Sequence, residues 1–195
     1  FRKEFGLVTK RGILSYRIPQ ALFQAWRISA LVAGIENPRV LEIGGGLGRT
    51  AFYADRFGIT DYSIVDLPLT SLTQGYFLGR TLGAERISAY GEEPGADGQR
   101  VRLIPPAAFL GATERYDLIV NVDSLTEMSR GMASDYVGAI LGRADRFLSI
   151  NHEANPFTVR GLMHERGEAD RFSRNPYWLR QGYVEEIWCP PIGTA

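Results

Sequence analysis

The stretch Arg39-Val-Leu-Glu-Ile-Gly-Gly-Gly-Leu-Gly-Arg49 decides how this chain is read. Its first five residues, Arg39 to Ile43, carry three apolar side chains around one carboxylate, Glu42, and read as a buried strand. Gly44, Gly45, Gly46 and Gly48 follow at once, and a helical pattern then runs from 49 to about 57, closed by Gly58. Glycine adopts conformations barred to other residues and lets main chain approach a ligand with no Cβ in the way. Free N–H groups at the start of the helix beyond such a turn favour a negative group.

Outward from that stretch, strand and helix patterns alternate. Residues 61–66 form a second strand, and a helix carrying Leu72, Tyr76, Phe77 and Leu78 follows it. Two short strand-like pieces, 86–90 and 100–104, flank a turn or loop over 91–98. Strand 117–123, a helix with Tyr136, Val137, Ile140 and Leu141, and strand 146–151 come next. Residues 182–188 make a late strand. On the other side, Pro19 would sit in the first turn of a helix reaching about Gly34, with Leu22, Ala25, Trp26, Ala30 and Ala33 at helical spacing. Residues 1–18 receive no assignment. The alternation predicts right-handed crossovers and an α/β, doubly wound, mostly parallel sheet covered on both faces. We expect a short N-terminal helical segment over 1–37, the remainder of a longer chain, and a cofactor-binding domain over 38–195.

Composition sets limits. The 195 residues suit one domain with a sizeable core, and 45% hydrophobic with 23% charged residues is the balance of a globular protein. Lys plus Arg equals Asp plus Glu at 22 each, so no net field draws the chain to nucleic acid or acidic lipid. No apolar run reaches the roughly 18 residues of a membrane span. The single cysteine, Cys189, excludes an internal disulfide and fits a reducing compartment, so a cytoplasmic location is expected.

In a sheet of this kind, ligands bind beyond the carboxyl ends of the strands, where the strand order reverses. A dinucleotide fingerprint, G-x-G-x-x-G, would require glycine at position 49, where Arg49 stands. The segment spells Glu42-x-Gly44-x-Gly46-x-Gly48 instead. Asp66 ends the second strand and, as an acceptor with two oxygens, could take both hydroxyls of a ribose. It could equally cap the helix after Pro68, and a ribose alone does not separate one nucleoside cofactor from another.

The glycine segment resembles the first motif of class I S-adenosylmethionine-dependent methyltransferases, which have a Rossmann-like fold. With Ile64-Val-Asp-Leu-Pro68, Asn121-Val-Asp-Ser-Leu-Thr-Glu-Met128 and Ser149-Ile-Asn-His152, the chain is similar to the sugar O-methyltransferases over about 38–155. The resemblance implies S-adenosyl-L-methionine as cofactor, held by Glu42, Gly44, Gly45, Gly46, Gly48 and Asp66. It also implies methyl transfer to a sugar hydroxyl, on a small-molecule or glycan acceptor. One departure stands out: the end of the third strand reads Leu103-Ile-Pro-Pro106, without the carboxylate many such enzymes turn toward adenine. Backbone groups or apolar contacts from Phe109 would have to serve.

A sugar hydroxyl is a weak acid, so its attack calls for a general base or a metal. His152, directly after strand 146–151, is the first candidate base, with a structural role as the alternative. His164 could belong to a lid. Asp123 is the second catalytic candidate, either touching the acceptor or supporting the base. Ser124-Leu-Thr-Glu127 has capping-box spacing. A metal on Asp123, His152 and Glu153 is conceivable, but no diagnostic ligand pattern exists and none is expected. Arg160, Arg166, Arg171, Arg174 and Arg180, with Phe172, Tyr177 and Trp178, could line an acceptor site and pair with an anionic acceptor, or form a solvated surface. The competing readings are a nicotinamide-dependent oxidoreductase or epimerase, disfavoured by Arg49 and by the lack of a Tyr-x-x-x-Lys pair, and a catalytically inactive cofactor-binding domain.

Overall fold

A computed structural model describes residues 5–92, 101–168 and 171–190. Most of the loop expected over 91–98 lies outside the described residues. The chain opens with a hairpin, β1 (Gly6–Thr9) and β2 (Gly12–Ser15), then α1 (Arg17–Leu31). Five strands and three α-helices follow in the order β3 (Arg39–Ile43), α2 (Arg49–Arg56), β4 (Asp61–Val65), α3 (Pro68–Leu82), β5 (Ile87–Ala89), β6 (Val101–Ile104), α4 (Pro106–Gly111) and β7 (Leu118–Val122). A single turn, α5 (Ser124–Glu127), leads to α6 (Arg130–Arg143), β8 (Phe147–His152), α7 (Val159–His164), β9 (Phe172–Pro176) and β10 (Tyr183–Trp188).

The main sheet runs β5-β6-β4-β3-β7-β8-β10-β9. It is parallel from β5 to β8, and β10 enters antiparallel to β8 with β9 antiparallel beyond it. The order reverses at β3, whose neighbours are β4 and β7. Strand alternation divides the core. Val40, Tyr62 and Ile64 face a layer with Ala25 and Ile28 of α1, Ala54 of α2 and Leu78 of α3. Leu41, Ile43 and Val65 face a layer with Phe109, Tyr136, Val137 and Ile140. The expected doubly wound, mostly parallel sheet is therefore present, with an antiparallel edge.

The N-terminal part departs from the sequence reading in two ways. Helix α1 begins at Arg17, which places Pro19 in its first turn as expected, but it ends at Leu31 rather than near Gly34. Its buried stripe is Ala21, Gln24, Ala25 and Ile28, while Leu22 and Trp26 are exposed. Small residues on the inner stripe let α1 lie close on α2, which pushes the bulky pair outward. Trp26 packs on Phe23 instead, at 5.5 Å between ring centroids.

Candidate functional site

The carboxyl ends of β3, β4, β7 and β8 share one edge of the sheet, and the glycine turn, Glu42, Asp66 and Asp123 gather there. Gly44, Gly46 and Gly48 all take positive φ, of 76°, 56° and 85°. The turn they make bonds Gly48 N–H to Gly45 O at 2.9 Å and Gly44 N–H to Val65 O at 2.8 Å. Gly48 caps the start of α2. A Cβ on Gly45 would meet Ile64 at 2.8 Å and the Glu42 carboxylate at 3.0 Å, so close packing also demands glycine there.

Glu42 is buried at the floor of the site, where the Tyr62 hydroxyl donates to its Oε2 at 3.0 Å. Burial pushes its carboxyl up to about 7, with the nearby Asp66 charge acting in the same direction and the hydrogen bonds with Tyr62 and Thr50 opposing it. Thr50 also donates to Oε1 of Gln24 at 3.0 Å, tying α1 to the floor. Asp66, just beyond β4, accepts from Gly46 N–H at 3.2 Å and from the Gln74 amide at 2.8 Å through one oxygen. Its other oxygen takes Leu67 N–H at 2.8 Å. Asp66 thus ties the glycine turn to α3 without being buried itself. Oε1 of the buried Gln74 has no hydrogen-bond partner among the described residues.

Asn121, Ser124, Thr126, Ser149 and Asn151 knit the ends of β7 and β8 together. The Asn121 amide donates to Ile43 O at 3.1 Å and to Ser124 Oγ at 2.6 Å, and Ser124 Oγ donates to Ile43 O at 2.8 Å. Asn151 donates to Asn121 Oδ1 and Ser149 Oγ, both at 2.9 Å. The capping-box expectation needs correcting: Asp123 occupies the cap position and Ser124 is the first residue of α5. The Ser124 hydroxyl is spent on β3 rather than on its own helix.

Two cavities open beside the glycine turn, each of about 410 Å³. The first is lined by the turn and Glu42, by Tyr16, Arg17, Gln20 and Gln24 of the N-terminal part, and by Arg49, Thr50, Asp123, Glu127 and Arg180. The second holds Asp66 among Val65, Leu67, Pro106, Met128, Met132 and Tyr136. Gly44, Ser124 and Glu127 border both. Phe109, one of the two alternatives the sequence offers for the nucleobase, lines neither. It is buried in the core, stacked on Tyr136 at 5.5 Å and covered by the Arg143 guanidinium at 3.9 Å.

Asp123 has φ 68° and ψ −46°, a setting rare outside glycine, and its carboxylate meets Arg180 Nη1 at 2.5 Å. Arg180 also donates to the Tyr183 hydroxyl and lies 3.6 Å over that ring. Burial first, then the neighbouring Asp123, pushes the Tyr183 phenol up to about 12. His152 ends β8 but lines neither cavity. Its Nδ1 accepts Ala154 N–H at 3.0 Å, and its ring meets Tyr183 edge-on at 5.0 Å. His164 ends α7 on the surface. Among the described residues, no three His, Cys, Asp or Glu side chains gather as a metal site, and Glu153 pairs with Arg174 instead. Of the five tail arginines, Arg180 alone reaches the first cavity, whereas Arg166, Arg171 and Arg174 bind Ser134, Glu168 and Glu153. Sequence reasoning missed Tyr16, Arg17, Gln20 and Gln24 because nothing local links them to the glycine turn.

No protein-family model matches the sequence, and no curated protein matches it. Solved structures do. A provisionally assigned RNA methyltransferase from Pyrococcus horikoshii is 16% identical with a TM-score of 0.61, covering 100% of this chain and 94% of that one. A glycopeptide N-methyltransferase is 12% identical with a TM-score of 0.62, covering 88% and 90%. Magnesium protoporphyrin IX methyltransferase from Synechocystis, solved with S-adenosylhomocysteine, is 13% identical with a TM-score of 0.59, covering 95% and 90%. The fold is that of the class I S-adenosylmethionine-dependent methyltransferases, whose members shown here act on very different acceptors. Among the described residues, no helix is long and apolar enough to cross a membrane.

Proposed function

We propose that this protein is an S-adenosylmethionine-dependent O-methyltransferase acting on a sugar hydroxyl of a small-molecule or glycan acceptor. One observation carries the reading: the glycine turn, with Glu42 beneath it and Asp66 beside it, separates a polar cavity from an apolar one. That division suits a molecule with a charged amino-acid end and a flat nucleoside end. The open face of Gly46 and the N–H groups opening α2 would receive the amino-acid end, and Glu42 offers it a buried acceptor. Asp66 would hold the ribose, with Leu67, Pro106 and Met132 against the base, which accounts for the absent third-strand carboxylate.

When bound, the cofactor supplies an electrophilic methyl group on a sulfonium. The chain's own part is to position the acceptor and take its proton. Asp123 and His152 remain the catalytic candidates, with distinct roles. Asp123 lines the polar cavity and is the base. His152 spends its Nδ1 lone pair on Ala154 N–H and stands edge-on against Tyr183, which it positions. A cavity walled by Arg, Gln, Glu and Asp side chains suits a polyhydroxylated acceptor better than a lipid. Balanced charge favours a small acceptor over nucleic acid, and an exposed lone Cys189 fits the cytoplasm. The test is label transfer from methyl-labelled S-adenosylmethionine to a panel of sugars and nucleotide sugars, analysed for methyl ethers. Labelled sugar ethers support the reading, and label appearing only on nucleic acid or protein would overturn the sugar assignment.

A further inference from the structure

The pairing of Arg180 with Asp123 raises a difficulty whose solution names the acceptor's chemistry. Arg180 comes from the turn joining β9 to β10, where its N–H bonds Tyr177 O at 3.2 Å and its carbonyl accepts Tyr183 N–H at 3.3 Å. This fixes the base of the side chain at the cavity wall, while the guanidinium reaches across to Asp123 Oδ2. Asp123 in turn is held by main chain: its N–H donates to Ile150 O at 3.0 Å, and its carbonyl accepts from Thr126 Oγ1 at 3.0 Å. A non-glycine residue at positive φ costs about 1–3 kcal/mol and persists only where its surroundings impose it. Here the imposed conformation aims a carboxylate into a cavity and at an arginine.

A guanidinium neither gives nor takes protons at ordinary pH, so it contributes nothing to proton removal itself. It occupies an oxygen that the base would use. The two side chains are 31% and 29% exposed, so water and a small anion can reach the pair. Another anion can therefore compete with Asp123 for the guanidinium, and Arg is the side chain whose planar fork matches a carboxylate or phosphate in two hydrogen bonds. Arg17 adds to the same cavity a guanidinium that makes no ion pair among the described residues and lies 5.4 Å from the Tyr16 ring.

We infer that the acceptor carries an anionic group, a carboxylate or a phosphate, close to the hydroxyl that reacts, and that Arg180 exchanges Asp123 for this group. The exchange frees Asp123 as the acceptor enters. The hydroxyl proton then passes to the Asp123 carboxylate while the hydroxyl oxygen bonds to the transferred methyl carbon, whose bond to the sulfonium breaks to leave a neutral thioether. A neutral sugar leaves Arg180 on Asp123. The inference rests on the proposed methyltransferase reading.

Calorimetric titration of the full chain saturated with S-adenosylhomocysteine tests it, using glucuronate and glucose 6-phosphate against glucose. Either acidic sugar should bind about tenfold or more tighter than glucose, the margin of a charge-assisted pair. Arg180→Gln, checked for retained S-adenosylhomocysteine binding, should erase that preference, and Arg180→Lys should restore part of it. Preference for glucuronate alone or for the phosphate alone identifies which anion is meant. Equal binding of acidic and neutral sugars, no binding of any acid, or a preference surviving Arg180→Gln overturns the inference alone. A chain that takes no S-adenosylhomocysteine overturns the methyltransferase reading, and the inference with it.

Discussion

A Cβ built on Gly44 would fall 2.2 Å from the Cβ of Ser124, so the glycine turn and the start of α5 share a space that admits only a hydrogen. Gly44 also sits at φ 76°. Gly44→Ala should therefore lower stability by about 2 kcal/mol or more, through overpacking and backbone strain together. Gly46 has φ 56° but no heavy atom within 4 Å of its would-be Cβ. Gly46→Ala should cost only about 1 kcal/mol and instead weaken S-adenosylhomocysteine binding. Urea melts of both variants, read beside their affinities, separate the cases; equal destabilisation would contradict this division of roles.

Asp66 is assigned to the nucleoside end of the ligand. Asp66→Asn should reduce the affinity for S-adenosylhomocysteine about tenfold or more, the usual worth of hydrogen bonds to a charged group. The same factor should appear with methylthioadenosine, which lacks the amino-acid end. A loss with the first ligand and none with the second would move Asp66 away from the ribose.

Glu42 gives a pH signature. Its folded-state carboxyl is raised to about 7 from an ordinary 4.5, so the folded chain holds this proton more tightly than the unfolded one. The protonated form carries no penalty below about 4.5; the penalty grows as pH rises to about 7 and is constant above, of order 3 kcal/mol. Glu42→Gln should flatten the stability profile across that window. Urea denaturation at a series of pH values checks it, and parallel profiles for the two proteins would contradict it.

Asp123 and His152 should behave differently. Asp123→Asn should lower turnover on a methyl-accepting sugar by about 10²–10⁴, the contribution of a general base, with cofactor affinity little changed. His152→Ala should cost far less, because it acts only through Tyr183. A larger loss with His152→Ala than with Asp123→Asn would reverse the two roles.

The parallel core was legible because β3, β4, β7 and β8 are buried apolar runs and the intervening helices carry spaced apolar residues. The β1–β2 hairpin was not, since Leu7, Val8, Ile13 and Leu14 are exposed and no alternation marks a buried face. Strand β9, Phe-Ser-Arg-Asn-Pro, has little strand propensity of its own; pairing with β10 imposes its shape. At the site, Glu42, the glycines and Asp66 announce themselves by position after a strand. Arg17, Gln24 and Arg180 reach the same cavity from segments far apart in sequence, so only the folded chain brings them together.

Isothermal titration of the purified chain with S-adenosylhomocysteine, alongside NADH, bears most directly on the whole account. Saturable binding of S-adenosylhomocysteine at one site, weakened by Asp66→Asn and absent for NADH, is the predicted result. Saturable NADH binding with no heat from S-adenosylhomocysteine would contradict it.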